Sequence, residues 1–170
     1  MIGKKTHNKS GFTLVEIIAV LFVISLGLIG VLSLIIQNIQ GQNINKNSIV
    51  AYQLAQEGIE MIRKVRDTNW NDSLEFNHSL AAGVYYMSYS DSVPLFLANP
   101  SNGDLYKDNN DFYVHGGGVV KTNFRRTIEI TDTSPHSIIV HSRVSWIEHT
   151  RTYNYDLDAA LFDWYKPTNP

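Results

Sequence analysis

Gly11-Phe12-Thr13-Leu14-Val15-Glu16 opens a stretch that continues apolar or small to Ile36, with Glu16 its only charge. Leu14 to Ile36 is about 23 residues, which at about 1.5 Å per residue covers a hydrocarbon core of about 30 Å. A carboxylate one turn into such a helix is costly, roughly 2.5–3.5 kcal/mol at mid-bilayer and less near an end. A helix needed only as an anchor would gain by losing it, so Glu16 is a candidate functional residue.

The chain has 170 residues, 14 basic and 16 acidic, for a formal charge of −2, and no cysteine. Lys4, Lys5 and Lys9 all precede Phe12, with no acid among them, so the remainder is more acidic than the total. That balance argues against general binding to nucleic acid or anionic membrane. Without cysteine, burial rather than disulfides must stabilise a soluble part, and the residues past the apolar run are numerous enough to form a core. Lysines just before an apolar helix stay on the cytoplasmic side, so the helix enters amino end in and carboxyl end out. The run is longer than a secretory signal core and lacks a good Ala-x-Ala end. A plain uncleaved anchor fits these features too.

Lys9-Ser10-Gly11-Phe12-Thr13-Leu14-Val15-Glu16 resembles the processing site of type IV prepilins and of the pseudopilins of type II secretion. A basic leader ends in Gly11, Phe12 follows, and a Glu stands fifth after the cut. The resemblance implies that prepilin peptidase cleaves between Gly11 and Phe12 on the cytoplasmic side and that the new amine of Phe12 is methylated. The helix then stays on the mature chain. In a stack of parallel helices, the Glu16 carboxylate of one subunit could meet the Phe12 amine of another and set the axial stagger. The plainer alternative is a Glu that snorkels to the headgroups or favours the positive helix end. Gly27, Gly30 and Ser33 are spaced for close helix packing. Local melting, or glycine merely tolerated, are the other readings. Many pilins carry a proline in this part of the helix, and none occurs here.

Past the apolar run, Gln37 to Lys46 is polar. Ala51, Leu54, Ala55, Gly58, Ile59, Ile62 and Val65 then recur at helical spacing. One helix from Phe12 to about Arg66, ending near Asp67, is expected. The alternative is two helices broken near Gly41. Ala51-Tyr52-Gln53-Leu54-Ala55-Gln56-Glu57-Gly58-Ile59-Glu60, with Arg63, Arg66-Asp67 and the Gly27-to-Leu34 stretch, resembles minor pilins of the PilV type.

Strand signals follow. Val84–Tyr89 is β-rich, Val93–Ala98 reads as an edge piece beside Pro94, Asn99–Asn110 as loop, Phe112–Val114 as a strand, and Gly116-Gly117-Gly118 as a turn. Phe124–Thr131, Ile138–Ile147 and Thr152–Leu157 alternate and form an antiparallel meander. Phe124, Ile128 and Ile130 share one face of the first, and Ile138, Val140, Val144 and Trp146 one face of the second. Asp132–Pro135 and Glu148-His149 make the returns, and Ala159–Trp164 extends the last strand or packs as an aromatic tail. The fold class is α+β and pilin-like: a long N-terminal helix, membrane-spanning in its first half, packed by its second half against a C-terminal antiparallel sheet. The segments are a leader over 1–11, a transmembrane and assembly helix over 12–36, an amphipathic continuation over 37–67, and a sheet region over 68–170.

His115, His136, His141 and His149 show no metal-ligand spacing, so no metal and no cofactor is expected. Lys121, Arg125, Arg126, Arg143 and Arg151 could meet nucleic-acid phosphates, but Glu129, Asp132 and Glu148 are interleaved, which reads as a solvated sheet face. No nucleophile motif appears, so catalysis is not expected. The resemblance implies a minor pilin or pseudopilin cut by prepilin peptidase and built into a type IV pilus-like filament. Its partners would be the peptidase, other pilin subunits, a pilus or secretion assembly platform and the cytoplasmic membrane. The chain would sit in that membrane as a single pass, its C-terminal part outside, before joining a cell-surface or periplasmic filament. The alternatives are a type II secretion or competence pseudopilin, and an uncleaved single-pass binding or sensor domain.

Overall fold

The computed structural model describes residues 11–134, 136–148 and 150–164. The chain divides into two compact units, Met1–Asn43 and Ile44–Pro170. Helix α1, Leu14–Asn71, contributes to both. It continues through Gly41, as the single-helix reading expects.

In the first unit every residue from Gly11 to Gln40 is exposed. A helix this apolar, uncovered among the described residues, is matched to lipid or to other helices, and α1 is long and apolar enough to cross a membrane.

In the second unit the amphipathic stripe meets a sheet. The strands are β1 Gly83–Tyr86, β2 Leu95–Phe96, β3 Asp104–Lys107, β4 Tyr113–His115, β5 Val120–Ser134, β6 Ser137–Glu148 and β7 Arg151–Phe162. All the pairings are antiparallel. β5, β6 and β7 form the expected meander, with Phe124 opposite Trp146 and Ile138 opposite Leu161; β6 and β7 pair in continuous register, whereas the β5–β6 register shifts between Asp132 and Ser134. The other edge of β5 is shared: β1 pairs with Gly83 to Tyr85 opposite Ile130 to Ile128, and β3 pairs beside Val120 to Arg125. β2 and β4 flank β1 and β3 in turn.

The strand period of two and the helix period of 3.6 give two apolar clusters. Ile59, Ile62 and Val65 of α1 pack with Ile128, Ile130, Ile138, Val140 and Leu161. Ala51, Leu54 and Ala55 pack with Leu105, Phe124, Val144 and Trp146.

Four expectations about the elements need correction. β5 runs on to Ser134, so Asp132–Ser134, expected in the return, belong to the strand and pair with β6. The helix passes Asp67 and ends at Asn71. Its last turn is held by the core: buried Asn69 donates from Nδ2 to the Phe76 and His78 carbonyls at 3.2 and 2.7 Å. The Arg66 guanidinium stacks 4.5 Å over Trp70, and Trp70 Nε1 donates to Asp163. β1 stops at Tyr86 rather than Tyr89, because Met87 turns into the core and the Ser88 amide donates to Asp91. The segment from Asn99 to Asn110 is not all loop: a 3-10 turn over Pro100–Gly103 leads into β3, whose Leu105 is fully buried. The Asn and Asp residues around it mask that anchor in the sequence.

Candidate assembly and processing site

Thr13 starts α1. The Glu16 amide donates to Thr13 Oγ1 at 3.3 Å and to the Thr13 carbonyl at 3.1 Å. Thr13-Leu14-Val15-Glu16 is therefore an N-terminal cap with an acid at its third helical position, where the helix dipole favours negative charge. The Glu16 side chain is exposed and has no hydrogen-bond or ion-pair partner among the described residues. Phe12, Glu16, Ile17, Val20 and Leu21 border one shallow apolar depression. The ring of Phe12, 79% exposed, is left without a core to enter. Lys4, Lys5, Lys9 and Ser10 of the leader lie outside the described residues, so the structure places only Gly11 and Phe12 of the cleavage site.

Glycines separate into two kinds. At Gly11, Gly27 and Gly30 an added Cβ would meet nothing within 4 Å. No packing among the described residues requires glycine there. Ser33 Oγ accepts a hydrogen bond from Gln37 Nε2 at 3.4 Å along the helix. At Gly58, by contrast, an added Cβ would lie 2.4 Å from Ser142 Oγ and 3.3 Å from Arg126 Cδ. Gly58 permits close approach of α1 to β5 and β6.

That approach frames a feature the sequence reading missed. Arg126 is fully buried, not on a solvated face. It lies in a polar layer with Gly58 and Ser142, between the two apolar clusters. Its Nη1 donates to Glu57 Oε2 at 2.9 Å and to the Leu54 carbonyl at 3.2 Å, and Nη2 donates to the Met87 carbonyl at 2.8 Å. Burial pulls the guanidinium below its ordinary value, and Glu57 opposes that shift. The signal was present: Arg126 has the same parity as Phe124, Ile128 and Ile130.

Lys121, Arg125 and Arg143 are engaged too. Lys121 and Arg125 both bridge Asp104, at 2.7 and 2.9 Å. Burial would raise the Asp104 carboxyl, but hydrogen bonds and charge from these two cations outweigh it and hold it below its usual value. Arg143 bridges Asp156 at 2.5 Å. His115 Nδ1 lies 3.0 Å from the Asn102 carbonyl, while its buried Nε2 has no hydrogen-bond partner among the described residues. Burial first, then the Arg126 charge, pushes the imidazole down to about 4. His141 lies 2.8 Å from Asp158, and His149 falls outside the described residues. Among the described residues no three His, Cys, Asp or Glu side chains converge on a metal position.

Residues 6–32 match the family described as the prokaryotic N-terminal methylation motif. No curated protein and no solved structure matches the chain. The match spans the last leader residues, Gly11, Phe12, Glu16, Gly27 and Gly30, so the amino-terminal segment of this chain carries a prepilin-type N-terminal methylation motif.

Proposed function

We propose that the chain is a minor pilin or pseudopilin: a non-catalytic subunit cleaved by prepilin peptidase between Gly11 and Phe12, methylated at Phe12, and assembled into a type IV pilus-like filament. The observation that carries this reading is the register of basic leader, Gly11, Phe12 and Glu16 ahead of an uncovered apolar helix, within the matched motif. In this reading Gly11 is glycine for the peptidase, since no packing among the described residues requires it. Glu16 stands unpaired in the first turn so that the freed amine of a neighbouring subunit can neutralise it. Gly27, Gly30 and Ser33 present a small-residue surface on which neighbouring helices approach. The amino end lies in the cytoplasm and the sheet domain outside. The likeness of Ala51–Glu60 to PilV-type sequences favours a minor subunit of a pilus over a secretion or competence pseudopilin.

The test is Glu16→Ala in cells that assemble the filament. The variant should insert and be cleaved but fall out of the filament fraction. Full incorporation of an inserted, cleaved variant would refute the pairing role. Mass analysis of the mature amino terminus tests processing separately: N-methyl-phenylalanine supports the reading, and a retained Met1 overturns it.

A further inference from the structure

The sheet has three outer strands, and two are blunted as edge strands usually are. β2 is two residues long and follows Pro94. β4 is three residues long and runs into Gly116-Gly117-Gly118. β7 is different. Its 12 residues contain no Pro, Gly or Lys, it pairs in unbroken register with β6, and no strand lies on its other side among the described residues. A row of main-chain donors and acceptors is therefore presented along Arg151–Phe162.

Beside this edge runs a groove of about 570 Å³ between β7 and the flank of α1, bordered by Gln56, Glu57, Glu60, Leu157, Asp158 and Ala159. Leu157 and Ala159 face α1 but are only partly buried, and no further strand covers them among the described residues. On the opposite face Asp156 and Asp158 are exposed. Each meets its β6 partner, Arg143 or His141, through Oδ1.

These charges decide between occupants. A second copy pairing antiparallel about a two-fold axis must set residues of like parity opposite each other. The two registers that keep all but one of the 12 β7 residues paired place Asp156 on Asp156, or Asp156 on Asp158, of the other copy. Like charges directly opposite are destabilising. A strand carrying cations at those positions gains where a second copy loses.

We propose that the free edge of β7 takes up an extended segment of another polypeptide as an added strand, with lysine or arginine opposite Asp156 and Asp158 and small apolar side chains turned into the groove. Backbone hydrogen bonds then supply affinity and the alternation supplies selectivity. This interaction does not involve Glu16 or the helix amino terminus, so its failure and that of the filament reading are separable.

The experiment uses the full chain in detergent micelles and blocked peptides of about six residues, one alternating valine with lysine and one alternating valine with glutamate. The valine–lysine peptide should bind and slow hydrogen exchange at β7 amides. The valine–glutamate peptide should bind roughly tenfold more weakly, as two opposite-sign cross-strand pairs become like-sign pairs. Asp156→Lys with Asp158→Lys should reverse that preference, with circular dichroism reporting that the fold is kept. Backbone N-methylation of the valine–lysine peptide should abolish binding whatever the state of the variant. Absence of binding, equal binding of both peptides, or binding that survives N-methylation overturns the proposal. So does concentration-dependent protection of β7 without peptide, which would assign the edge to a second copy.

Discussion

Neutralising Glu57 while leaving Arg126 in place strands a fully buried guanidinium. Breaking a buried pair by removing one partner costs about 3–5 kcal/mol. Here the Glu57 side chain is 36% exposed and solvent already screens it, and the Leu54 and Met87 carbonyls still accept from Arg126. Glu57→Gln should therefore cost about 2 kcal/mol, below that range. Arg126→Met removes the charge and fills similar volume, but leaves the Met87 carbonyl without its donor, at about 1–3 kcal/mol. With no guanidinium to neutralise, Glu57→Gln in the Arg126→Met background should be nearly silent, because the amide it introduces sits at the surface. The double-mutant cycle should then give a coupling of about 2 kcal/mol. Urea unfolding of the full chain in micelles, followed by tryptophan emission, measures all four variants. A coupling under about 0.5 kcal/mol, the level seen for independent sites, would refute the idea that this pair ties α1 to β5.

Two further outcomes follow from the same layer. Gly58→Ala should lose about 1–3 kcal/mol by overpacking, and Ser142→Ala should recover part of it by removing the Oγ that the new methyl meets at 2.4 Å; thermal unfolding of the single and double variants checks this. His115 is neutral in the fold down to about pH 4, whereas the unfolded chain takes up its proton near 6.5. The stability this group contributes is complete above about pH 6.5 and falls as pH drops toward 4, by at most about 3 kcal/mol. The slope of unfolding free energy over that window should flatten in His115→Gln, and an unchanged slope would contradict the assignment.

The layout was readable where one periodicity dominated. Ala51 to Val65 repeated at helical spacing and Phe124 to Leu157 alternated, and these stripes do face each other across the core. Leu105 was hidden because a two-sided polar neighbourhood gives no alternation, and its burial comes from pairing with a strand far along the chain. Asn69 and Trp70 extend the helix for tertiary reasons that no local stop signal carries. Arg126 was misread because residue type was weighed above parity. At the amino terminus the reverse holds: Gly11, Phe12 and Glu16 stand out in the sequence, while the single chain gives them few contacts, as befits residues whose proposed partners are other molecules.

β5 has a temporal consequence. β1 and β3 precede it in the chain, yet both find their main partner on it, and β6 and β7 follow it across short returns. A ribosome delivering this polypeptide therefore releases β1 and β3 with their principal template still unmade, while the last three strands can zip onto one another as soon as they emerge. A truncation before Val120 would leave the amphipathic half of α1 facing water, and quality control rather than assembly would be the fate of such a fragment.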